Sequence, residues 1–288
     1  MARSPQADSS LYAKLDPTYF SDDRVLLNLL NDEHLYVPSF NYFNTFQTDL
    51  QPFMRKVVTT WMLEVCEEQM CEDQVLPLAI NYMDRFLCAC NIKRQQLQML
   101  GATCLLLASK VRSSSHLPID LLCAYTDYSV THEHISSWEL LVLSKLKWNL
   151  ASITAFDYVD QIISRHPWGV HQDLLRRHAH TLIAVFYTET NSIQTPPSLI
   201  AAACITSAYR GLKLPVPLIV TVDICASTGV EQSMLENLVQ FVDQIVEGAV
   251  VQTPEPRATQ DKYVTSGEFE SPTYGQPETP TEVDNVYF

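Results

Sequence analysis

Residues 54–65 read Met54-Arg55-Lys56-Val57-Val58-Thr59-Thr60-Trp61-Met62-Leu63-Glu64-Val65. Met54, Val57, Val58, Trp61, Met62 and Val65 fall at offsets 0, 3, 4, 7, 8 and 11, one continuous apolar stripe on an α-helix that begins near Pro52. The same period recurs downstream. Helices are expected over 73–87, with Pro77 in the early turns, over 93–110, from just after Pro118 to near Thr126, and over 131–147. The pattern then restarts, over 154–164, 172–189, 197–210, 217–226 and 231–247. Strand signals are weak throughout.

The two halves read as one unit repeated. At an offset of 100, Ala102, Cys104 and Ala108 fall on Ala202, Cys204 and Ala208. Helices rich in small residues suit the centre of a bundle, because their neighbours can approach closely. The chain is therefore expected to be all-α, with two tandem five-helix bundles at 51–150 and 151–250. Residues 1–50 form an extension with one helix, capped by Ser21, with Asp22 and Asp23 in its first turn and Val25, Leu26, Leu29 and Leu30 as its stripe. Residues 251–288 hold five prolines, eight Ser/Thr, seven acidic residues and no Leu or Ile. Such a tail buries too little apolar area to offset its ordering entropy, so it is expected to be disordered.

Composition excludes several function classes. The seven glycines never lie closer than eight residues apart, which removes the dinucleotide fingerprint, the phosphate loop and the nucleophile elbow. A net charge of −14 leaves no large basic stripe for nucleic acid. The start, MARSPQADSS, has no apolar secretory region, and apolar runs are too short for a membrane span, so a soluble intracellular protein without membrane contact is expected. None of the eight cysteines forms a C-x-x-C pair, so buried reduced thiols are expected rather than a metal site. No cofactor is implied.

The stretch Met54–Gln69 resembles the first helix of a cyclin box, and Leu78-Ala79-Ile80-Asn81-Tyr82-Met83-Asp84-Arg85-Phe86-Leu87 resembles its second. Residues 97–103 with Leu107-Ala108-Ser109-Lys110 are similar to the third helix, and Leu146-Lys147-Trp148-Asn149-Leu150 to the end of the fifth. Trp-Met-Leu-Glu-Val-Cys-Glu-Glu-Gln at 61–69 and Thr279-Pro280-Thr281-Glu282-Val283-Asp284 resemble the D-type, G1-phase cyclins. The resemblance implies a non-catalytic subunit that forms a heterodimer with a cyclin-dependent kinase, activates it and promotes G1/S progression, in nucleus and cytoplasm.

Site residues follow from the same resemblance. Lys110 and Glu139 match the kinase contacts. Met54, Val57, Val58, Trp61, Glu64, Arg94, Leu97 and Gln98 match a shallow groove that captures Arg-x-Leu segments of substrates and inhibitors; the alternative is that this stripe is core. Arg55 and Asp84 match a structural ion pair. Thr279 matches a phosphorylation site read by a ubiquitin ligase adaptor. The chain departs from the family after Lys110, where Val111-Arg112-Ser113-Ser114-Ser115-His116 carries no carboxylate, and residues 1–50 lack Leu-x-Cys-x-Glu. A cyclin-fold transcription scaffold is the alternative function, since fold does not fix function.

Overall fold

The computed structural model describes residues 19–252, apart from 21, 44, 167, 169, 170 and 215–218. Among the described residues there are eleven α-helices and no strand, only an isolated bridge between Phe43 and Gln47. Thr279 and the rest of the proposed tail beyond 252 lie outside them.

Five helices form the first bundle: α2 (Pro52–Glu68), α3 (Val75–Ala89), α4 (Leu97–Arg112), α5 (Ile119–Tyr125) and α6 (His132–Lys145). Five more form the second: α7 (Ala155–Ser164), α8 (Gln172–Thr188), α9 (Pro197–Gly211), α10 (Ile219–Thr228) and α11 (Gln232–Gln252). They follow α1 (Asp23–Asp32). The starts of α4, α5 and α6 recur 100 residues later at α9, α10 and α11, so the internal repeat extends well beyond the small-residue helices. Those two are the central helices. The whole run Leu100–Ser109 is buried in α4, and Pro197–Tyr209 is buried in α9.

Local chemistry sets the helix ends. Thr131 and Thr154 cap α6 and α7, each with a reciprocal contact three residues on. Asp22, not Ser21, caps α1: its carboxylate accepts from the Arg24 backbone N–H at 2.9 Å. The Arg24 side chain holds that carboxyl low, at about 2. Ser21 itself is outside the described residues.

With so few glycines, α2, α5, α6 and α9 end on non-glycine residues in the left-handed region: Met70, Asp127, Lys147 and Lys213. In each, a six-residue hydrogen bond closes the turn, from the N–H of Cys71, Tyr128, Trp148 and Leu214 to the carbonyl of Cys66, Cys123, Leu143 and Tyr209. Lys147 therefore leaves the helix that the sequence extends to it; α6 stops at Lys145. Towards the other end of the chain, α11 runs on to Gln252 and takes in the first two residues of the expected tail.

α1 precedes the first bundle in sequence but is fastened to the second. Arg165 donates to the Phe20 carbonyl at 3.1 Å and lies 3.4 Å from the Asp23 carboxylate. Glu33, just beyond α1, accepts from both the N–H (2.9 Å) and hydroxyl (2.8 Å) of Ser198, capping the first turn of α9. From there the chain crosses back over the first bundle. Buried Gln47 ties that crossing down, donating to the carbonyls of Leu87 and Cys90 and accepting from the Ile92 N–H.

Candidate functional site

α2 has two working faces. The inner face shares only Met62 and Val65 with the apolar stripe read from the sequence. Buried on this helix are Arg55, Thr59, Met62, Val65 and Cys66, while Val57 is 53% exposed and Met54, Val58 and Trp61 are half-buried. The buried face is thus rotated from the Met54/Val57/Val58/Trp61 row and begins with a charged residue.

Arg55 is 1% exposed and meets Asp84 of α3 in a two-pronged pair, Nε to Oδ1 at 2.9 Å and Nη2 to Oδ2 at 2.8 Å. Its remaining N–H groups cross to the second bundle. They donate to the carbonyls of Thr188 (3.1 Å) and Glu189 (2.9 Å) and to the Ser192 hydroxyl (3.0 Å). Tyr42 donates to Asp84 at 2.7 Å. Burial opposes the guanidinium charge, but Asp84 outweighs it and the Arg55 pKa rises. A buried charge survives when its partner and donors are all matched, as here. Around this hub, Thr59 donates to the Thr188 carbonyl and Lys56 pairs with Glu189 at 2.8 Å. The sequence suggested the pair Arg55–Asp84; it carried no signal for carbonyls more than 130 residues away.

The second face carries the groove candidates. Met54, Val57, Val58, Trp61 and exposed Glu64 lie along α2, exposed Arg94 lies in the 3-10 turn just before α4, and half-buried Gln98 lies in the first turn of α4. Leu97 is different: at 2% exposure it belongs to the core, since the first turn of α4 points it inward. The two helices approach closely at Gly101, where an added Cβ would stand 2.9 Å from Val58 Cγ1 and 3.2 Å from Met62 Sδ. Gly101 had no role in the sequence reading, yet it sets how near α2 lies to α4. The Glu64 carboxyl is pushed upward, first by partial burial and then by Glu67.

At the opposite end of α4, Lys110 Nζ meets Glu139 Oε1 of α6 at 2.6 Å, with the side chains 38% and 18% exposed. Their neighbours in the chain, Val111 and Leu140, are exposed apolar residues at 45% and 64%. Part-exposed charges and exposed aliphatic side chains thus stand side by side at this end of the bundle. The following segment, which lacks carboxylates of its own, borrows them. Arg112 lies 3.6 Å from Asp157 of the second bundle, and Glu72 accepts from the Ser113 hydroxyl and the Ser114 N–H.

The structure is thus two five-helix bundles joined through a buried arginine. Residues 24–151 match the family "Cyclin, N-terminal domain" and residues 153–274 match "Cyclin, C-terminal domain". A viral cyclin from herpesvirus saimiri superposes with a TM-score of 0.70 at 24% identity, covering 78% of this chain and 98% of the viral one. Among curated relatives, the G1/S-specific cyclin-D2 of Xenopus laevis is 47% identical over 212 residues, 73% of each chain. The G1/S-specific cyclin-D1 of Danio rerio is 45% identical over 228 residues, 78% of this chain and 74% of the relative. The human G1/S-specific cyclin-D1 is 45% identical over 197 residues, 68% and 67% of the two chains. The chain belongs to the cyclin family, among the D-type cyclins.

Proposed function

We propose that this chain is the non-catalytic, activating subunit of a cyclin-dependent serine/threonine kinase acting at the G1/S transition, in nucleus and cytoplasm. The observation that carries this reading is the Lys110–Glu139 pair at the end of the central helix of the first bundle, flanked by exposed Val111 and Leu140. A rigid helix end bearing paired charges and bare apolar side chains can grip one conformation of a kinase helix better than another. Differential affinity of that kind shifts the kinase population. The selected conformation is the one in which the kinase's own Lys–Glu pair can form.

The α2 face would serve a second purpose in this reading. Trp61 and Val57 offer an apolar platform, and Glu64 offers a carboxylate for the arginine of an Arg-x-Leu segment in substrates and inhibitors. Thr279 would control lifetime: its phosphate adds charge to an acidic tail and makes a site for the Arg cluster of a ligase adaptor.

One set of variants tests the three parts. Lys110→Glu places two carboxylates together and should weaken kinase binding by about 2–5 kcal/mol while the helical melting curve stays in place. Trp61→Ala should lose an Arg-x-Leu peptide by about 2 kcal/mol or more and keep the kinase. Thr279→Ala should keep both and lengthen the half-life in cells. Kinase affinity unchanged by Lys110→Glu would refute the central assignment.

A further inference from the structure

The turn that ends α2 differs from the other three of its type. In turns of this type the residues joined by the six-residue hydrogen bond often carry side chains that make an apolar contact. At the ends of α5, α6 and α9 the residues so joined are Cys123 with Tyr128, Leu143 with Trp148, and Tyr209 with Leu214. At the end of α2 they are two thiols, Cys66 and Cys71, with the Cys71 N–H donating to the Cys66 carbonyl at 2.9 Å. Met70, at φ 47°, makes the left-handed step that folds Cys71 back over Cys66. Both cysteines are free. Both line an open cavity of about 560 Å³ between the end of α2 and α8, together with Met70, Arg177 and His180. Cys66 is buried and Cys71 half-buried, so a small solute entering the cavity meets Cys71 first.

We propose that Cys66 and Cys71 form a peroxide-responsive dithiol site that closes to a reversible disulfide. The Cys71 thiolate attacks one oxygen of hydrogen peroxide, the O–O bond breaks, hydroxide leaves and is protonated to water, and Cys71 becomes a sulfenic acid. The Cys66 sulfur then attacks the Cys71 sulfur; its proton and the departing hydroxyl leave as a second water. Two thiols are oxidised, one peroxide is reduced, and the S–S bond is the product. The order of events follows from the surroundings. The shared contact with Cys66 lowers the Cys71 pKa against the opposing effects of burial and Glu72, and the same contact raises that of Cys66. Burial raises the thiols of Cys88, Cys104, Cys123, Cys204 and Cys225, so these are less nucleophilic.

The test uses the purified full-length chain, reduced and then exposed to a small excess of hydrogen peroxide. Free thiols are then alkylated without reduction, and the tryptic peptide of residues 57–85, which holds both cysteines, is weighed. The expected product is lighter than the reduced peptide by two hydrogens, takes up no alkylating agent, and returns to two alkylatable thiols after glutathione. Cys71→Ser should leave Cys66 alkylatable, and Cys225→Ser should leave disulfide formation unchanged. The wild-type peptide alone decides the matter if a variant fails to fold. Two thiols still alkylatable at a dose that oxidises other cysteines would overturn the proposal. So would Cys71 accumulating as a sulfinic acid beside a free Cys66.

Discussion

In the first bundle, α4 delivers Lys110 to Glu139 at the surface; one repeat later, the corresponding positions in α9 and α11 are Arg210 and Val239. Val239 is fully buried. The repeat preserves the helices but not the charge pair: Arg210 stays exposed while the glutamate's counterpart is a core valine. A similar difference separates Gly101 from its counterpart Ala201, which is also fully buried: the first bundle omits the Cβ at the position where α2 meets α4. The two bundles are built alike, but the first keeps a charge pair at its surface where the second buries a valine.

Arg55 is the place to break that comparison with the largest effect, because it joins the two halves. Arg55→Met leaves Asp84 buried with one partner fewer and strips donors from the carbonyls of Thr188 and Glu189. Removing one member of a buried pair costs about 3–5 kcal/mol. Urea unfolding should show that loss, and hydrogen exchange should rise at the end of α8 as well as in α2 and α3. Loss of protection confined to the first bundle would mean that the crossing bonds contribute nothing.

Much of this was readable in advance because it is local. Periodicity located the helices to within a few residues, and Thr131 and Thr154 marked the starts of α6 and α7. The corrections arise where tertiary contact decides. Lys147 looks helical but adopts φ 53°, the step that lets Trp148 fold back onto Leu143. Leu97 sits in the groove motif, but the entry of α4 turns it into the core. The donors of Arg55 find carbonyls far along the chain, and no pattern within α2 could announce them.

Gly101 sharpens the comparison at an intermediate scale. An alanine there meets Val58, whose β-branch is stiff on a helix, and Met62, which can give way. Overpacking costs about 1–3 kcal/mol, against which the better helix propensity of alanine returns about 1 kcal/mol. Gly101→Ala should therefore destabilise the chain by about 1 kcal/mol and weaken Arg-x-Leu peptide binding as α2 is displaced. The mirror change, Ala201→Gly, removes a packed Cβ and should also destabilise. Thermal melts of the two variants check this: a stabilised Gly101→Ala would show that the close approach is incidental.

Glu64 gives the smallest effect and the finest distinction, since its charge has Glu67 nearby where Lys110 has Glu139. Partial burial and then Glu67 raise the Glu64 pKa, so the folded chain holds this proton more tightly than the unfolded chain does. Ionisation is then a cost to folding: absent below the unfolded pKa, it grows as pH rises and is complete above the raised folded value. The side chain is largely exposed, so the cost is small, comparable to a like-charge pair on a helix at about 0.2–0.5 kcal/mol. Glu64→Gln should stabilise the free chain by that amount at neutral pH, and the gain should vanish near about pH 4, close to the ordinary glutamate value. The same substitution should weaken the Arg-x-Leu peptide in a calorimetric titration. Gain in stability with loss of binding would mark Glu64 as a charge kept for a partner; loss of stability at neutral pH, with binding intact, would return it to the solvated surface.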